Sequence, residues 1–88
     1  MTVAEQIRAR LTDALAPLEL EIVDQSHLHA GHAGAPEGGE SHFRIRVVSA
    51  EFTGKTRVAR QRMVNSILVA ELAGPIHALS MDLQAPEV

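Results

Sequence analysis

The chain has 88 residues, no cysteine, 45% apolar residues, 2% aromatic residues and a formal net charge of −3. That is enough for one domain with a single modest core, built from Leu, Ile, Val, Ala and Met around two rings, Phe43 and Phe52. Disulfides and internal thiolate ligation are excluded, and so few rings argue against stacking-based recognition of single-stranded nucleic acid.

Residues 2–16 read as an amphipathic helix: Thr2 and Glu5 have capping-box spacing, and Val3, Ile7, Leu11, Ala14 and Leu15 recur at helical intervals. Pro17 ends it. Leu18 to Ile22 then alternates apolar and acidic residues, and Phe43 to Val47 alternates apolar and basic ones, as half-buried strands do. Antiparallel pairing would set Glu19 and Glu21 on the same side as Arg44 and Arg46. The connection between them, a flexible loop at 25–41, is longer than the ~12–15 residues usual for a structureless loop in a compact domain. Such loops are commonly functional or disordered, and Gly31, Gly34, Gly38, Gly39 and Pro36 permit both.

Residues 49–56 form a turn, with Gly54 suited to a positive φ. A helix over 57–72 follows, burying Val64, Ile67, Leu68 and Leu72, and Gly74-Pro75 closes it. A last strand from about His77 to Gln84 carries Leu79, Met81 and Leu83 on one face, before a short unstructured tail at 85–88. The order α-β-β-α-β predicts one α+β domain over 1–88, a three-stranded sheet with both helices packed on one face. There is neither a cleavable leader nor an apolar run of about 18 residues, so a cytoplasmic protein without a membrane segment is expected.

Charge is unevenly placed. Residues 44–62 carry Arg44, Arg46, Lys55, Arg57, Arg60 and Arg62 against Glu51 alone. Such a block can steer an acidic protein face or a phosphate, or simply form a solvated face. Two motif matches fail on context. Gly31-His-Ala-Gly34 fits the GxxG of KH domains but lies between strands, where it cannot present its backbone to phosphates as a helix–GxxG–helix does. Gly54-Lys-Thr56 resembles the end of a phosphate loop whose upstream glycine is replaced by Ser49. None of the serines lies in a recognisable nucleophile motif, so the chain is read as non-enzymatic.

The histidines carry more. His27, His29, His32 and His42 lie in or beside the glycine-rich connection, and His77 stands alone just after Gly74-Pro75. Neutral imidazole is the commonest protein metal ligand. Three readings are open: loop histidines without a role; a self-contained zinc or copper site with nitrogens from His29, His32 and His77; or a shared site to which this chain gives one or two imidazoles.

The pieces Ser26-x-x-His29, Glu40-Ser-His-Phe43, Val47-Val-Ser-x-x-Phe52-x-Gly54-Lys, Arg60-x-Arg62-Met-Val-Asn65, Ala70-Glu-Leu72 and Ile76-His-Ala-Leu79 are ordered and spaced as in the BolA family, which the chain resembles across about residues 5–84. The resemblance implies a KH-like α-β-β-α-β sandwich that is a monomer when alone. It further implies a non-enzymatic heterodimeric partner of a monothiol glutaredoxin in iron–sulfur assembly or trafficking. A [2Fe–2S] cluster would be shared with that glutaredoxin and its glutathione, and none is expected in the isolated protein. By the same resemblance His77 is the first ligand and His29 the second. His32, and less readily His27, compete with His29. Lys55, Arg57, Arg60 and Arg62 would form the partner surface. Gln61 departs from the histidine common between the two arginines. Some BolA relatives are described as transcriptional regulators, so the resemblance also implies an alternative in which the basic surface binds DNA.

Overall fold

The first helix, α1 (Val3–Leu15), begins where the Thr2 hydroxyl accepts a hydrogen bond from the Glu5 backbone N–H at 3.1 Å. The expected cap is therefore present, with one variation. The Thr2 hydroxyl also donates to the Glu5 carboxylate at 3.1 Å, so the two side chains close on each other. Ile7, Leu11 and Leu15, each four residues from the next, are the buried stripe, and Ala14 faces solvent. The helix ends at Ala16, whose backbone is left-handed (φ 42°, ψ 55°) and whose N–H still reaches Thr12 O.

The computed structural model describes residues 2–25 and 41–86, so the histidine-bearing connection at 26–40 lies outside the described residues. Strand β1 (Glu19–Asp24) pairs antiparallel with β2 (His42–Val48), and β2 pairs in parallel with β3 (Ala78–Gln84), giving the order β1-β2-β3. A single 3-10 turn (Ala50–Phe52), α2 (Arg57–Ile67) and α3 (Val69–Ala73) lie between β2 and β3. A strand–helix–strand crossover of this kind is what lets two neighbouring strands run parallel.

The alternation expected for the strands is realised. Phe43, Ile45 and Val47 of β2 are buried and join Ile7, Leu11, Leu15, Phe52, Val64, Leu68 and Ile76 in one core, with Leu20, Ile22, Leu79, Met81 and Leu83 packed around it. Helical and strand residues thus meet on one side of the sheet, and the opposite side carries charge.

Two expectations need correction. Leu18 precedes β1 and is 69% exposed, because only its backbone N–H, bonded to Val48 O, joins the sheet edge. The register does put Glu19, Glu21, Arg44 and Arg46 on one face, with Glu21 directly opposite Arg46 and Arg44 opposite Val23. Arg46 reaches Glu19 at 3.4 Å and Asp82 of β3 at 3.6 Å. Finally, the helix over 57–72 is two helices. Leu68, at φ −99° and ψ 19°, separates α2 from α3, although the bonds Leu68 N–H to Val64 O and Leu72 N–H to Leu68 O continue the helical ladder through the bend. The junction keeps Leu68 fully buried while Val69 is 64% exposed.

Candidate functional site

Parallel pairing of β2 with β3 brings the first residues of both strands to one end of the sheet, with His42 in register with Ala78. His77, exposed, is the residue before that pair. Its backbone is held on both sides. Ile76 is buried and bonds Glu71 O through its N–H, and the His77 N–H donates to Ser41 O at 2.7 Å. The expected ligand therefore stands on a rigid support, between a core residue and a strand.

The imidazoles of His42 and His77 face each other with centroids 6.2 Å apart and planes tilted by 34°. The buried Ser41 bonds the ring of one and the backbone of the other. Its carbonyl accepts from His77 N–H and Ala78 N–H, and its hydroxyl shares a 2.8 Å hydrogen bond with His42 Nδ1. His42 is not among the ligands expected from the sequence. The signal was there: a strand–helix–strand order implies parallel neighbours, and parallel neighbours share their starting end.

His27, His29 and His32 lie outside the described residues, so of the expected ligands only His77 is placed. The described flanks of their connection do meet at this same end, where Gln25 N–H bonds His42 O at 2.7 Å. No group of three His, Cys, Asp or Glu able to hold a metal ion occurs among the described residues.

The basic residues lie elsewhere. Lys55, Arg57, Arg60 and Gln61 form one wall of an open groove of about 470 Å³, and Met81, Asp82, Leu83 and Gln84 of β3 form the other. Thr56 caps α2 through a 3.1 Å bond from Ala59 N–H to its hydroxyl, so Arg57 sits at the positive end of the helix dipole. Arg60 is also a structural tie. It donates to Lys55 O and to Leu83 O, both at 3.0 Å, and its guanidinium lies 6.0 Å from the centre of the Phe52 ring. Lys55, Arg57 and Arg62 are exposed.

The family model for BolA-like proteins matches residues 11–88. A Sinorhizobium sp. protein described as an uncharacterized protein in the cobS 5' region is 44% identical over 87 residues, covering 98% of this chain and 94% of that protein. The DNA-binding transcriptional regulator BolA of Escherichia coli K12 is 41% identical over 81 residues, 92% of this chain and 73% of that protein. Other relatives are longer: the chain spans 56% of mouse BolA-like protein 1, with 46% identity over 80 residues and 91% of this chain covered. Among solved structures, BolA1 from Arabidopsis thaliana is similar with a TM-score of 0.85 and 36% identity, covering 98% of this chain and 94% of that one.

Proposed function

This chain belongs to the BolA family, and from that premise we propose that it is a non-enzymatic partner of a monothiol glutaredoxin that supplies histidine ligation to a shared [2Fe–2S] cluster. The observation that carries the reading is an exposed His77 on a rigid support, with no third His, Cys, Asp or Glu beside it among the described residues to complete a metal site. A chain without cysteine can take part in such a cluster only if thiolates come from elsewhere. Among the described residues the donor set fits that condition, because it is a part of a site and not a whole one.

When bound, an iron carrying imidazole in place of thiolate bears less negative charge and sits at a higher potential. This chain's own contribution is orientation. Ser41 O holds the His77 backbone, and the core packing of Ile76 holds the strand entry. The exposed Lys55, Arg57 and Arg62 would draw in an acidic partner face over roughly a Debye length. His29 and His32 remain the expected loop ligands.

Anaerobic reconstitution with a monothiol glutaredoxin and glutathione tests the reading through iron and sulfide content and absorbance. The pair is expected to hold a cluster with histidine-ligated spectra that His77→Ala abolishes. Spectra of the wild-type pair matching those of glutaredoxin alone would refute it.

A second reading, a DNA-binding regulator, is favoured by one observation, the basic groove, together with the similarity to the DNA-binding transcriptional regulator BolA of Escherichia coli. Asp82 inside the groove and the net charge of −3 weigh against strong phosphate binding.

A further inference from the structure

His42 belongs to none of the sites assigned so far. It is the first residue of β2, half-buried, and its ring lies beside that of His77. Two imidazoles bound to one ion at ~2.0–2.1 Å through nitrogen have ring centroids no more than about 6.5 Å apart, and about 5.3 Å apart at the tetrahedral angle. The observed 6.2 Å lies inside that limit. The separation exceeds the tetrahedral value by about 1 Å.

The support is equally suggestive. Metal-bound histidines usually hold their other ring nitrogen in a hydrogen bond that sets the ring's orientation. His42 has such a bond, between Nδ1 and the hydroxyl of Ser41, and Ser41 is only 2% exposed. The carbonyl of the same residue anchors the backbone of His77. One buried serine thus orients the ring of His42 and anchors the backbone of His77, and ligands held in place before binding lose less entropy when the ion arrives.

We propose that His42 and His77 form a two-imidazole half-site for a single transition-metal ion at the shared starting end of β2 and β3, with Nε2 of His42 as the second ligating atom. For the occupant in the cell the inference rests on the proposed glutaredoxin partnership, where it would give a Rieske-like pair of imidazoles on one iron. The pair itself can be tested in the isolated chain with the metal alone.

The probe is Cu(II), added at one equivalent to the full chain with 15N-labelled histidine, and read by pulsed electron paramagnetic resonance that counts coupled imidazoles. Two are expected in the wild type and in the variant carrying His27→Gln, His29→Gln and His32→Gln together. One is expected in His42→Gln. A wild type indistinguishable from His42→Gln, or a triple variant that drops to one, would overturn the proposal. A measurement on the wild type alone guards against a misfolded variant. Substoichiometric Co(II) is expected to broaden the ring resonances of His42 and His77 together, and broadening of His77 with the loop histidines alone would overturn the pair. The reconstituted glutaredoxin complex separates the two ideas. Imidazole coupling lost in His77→Ala but unchanged in His42→Gln sinks the pair and leaves the partnership standing. Wild-type coupling to no imidazole sinks the partnership, while the Cu(II) count then decides the half-site by itself.

Discussion

Ala16 holds a left-handed backbone, at φ 42° and ψ 55°, which costs a side-chain-bearing residue about 1–2 kcal/mol. It pays this because Pro17 cannot continue the helix and the chain must turn at once toward β1. Glycine at this position would remove the strain but lose about 0.4–1 kcal/mol to the unfolded chain. The net expectation is that Ala16→Gly stabilises the protein by about 0.5–1 kcal/mol, read as a higher urea midpoint with unchanged slope. A lower midpoint would show that the turn draws its stability from something other than backbone geometry. This feature was not legible in the sequence, since Ala-Pro is compatible with several helix ends. Gly54 was legible, and its φ of 78° agrees with the turn read there. Ser49 was not. It is fully buried, donates to Leu15 O at 2.7 Å and accepts from Glu51 N–H at 3.1 Å, so one hydroxyl closes the end of α1 and starts the 3-10 turn. Nothing local to Ser49 announces a bond to a residue so far away in the chain.

Between elements, α1 and α3 are joined by an ion pair. Nε of Arg10 lies 2.6 Å from Oε1 of Glu71, a carboxylate with 3% side-chain exposure, while Arg10 itself is 51% exposed. The contact is a charge attraction and not an aligned hydrogen bond, because Oε1 has no hydrogen-bond donor in line with it. Removing one partner of a fully buried pair costs about 3–5 kcal/mol. With one partner half in water, Arg10→Ala is expected to cost on the order of 2 kcal/mol. The double variant Arg10→Ala with Glu71→Met should recover most of that loss in chemical denaturation, since the uncompensated charge is gone. A double variant less stable than Arg10→Ala alone would mean that Glu71 serves α3 in some way other than by its charge. The elements themselves were largely readable. Helical spacing found α1, and alternation found all three strands with their inward residues, Leu18 excepted. The bend at Leu68 was hidden because Val64, Leu68 and Leu72 keep a four-residue spacing straight through it.

At the scale of the whole molecule, the two candidate sites lie toward opposite ends of β3. His77 precedes its first residue, whereas the basic groove is walled by Met81 to Gln84. At ~3.3 Å per strand residue the separation is roughly 13–23 Å. A ligand in the groove and an ion on the histidines therefore need not compete, and each can be tested without disturbing the other. If duplex DNA is bound, the groove offers Lys55 and Arg57, with Arg62 exposed on the same helix, and Arg60 is committed to backbone carbonyls. Three phosphate contacts predict a slope of about −2.7 in log affinity against log salt, so affinity should fall about 40-fold between 50 and 200 mM salt. Lys55→Ala should reduce that slope by about 1, and His77→Ala should leave it unchanged. A much steeper slope would require cations beyond this groove, and a slope that responds to His77→Ala would mean that nucleic acid reaches the histidine end of the sheet. Either result would remove the separation on which the independent use of the two ends depends.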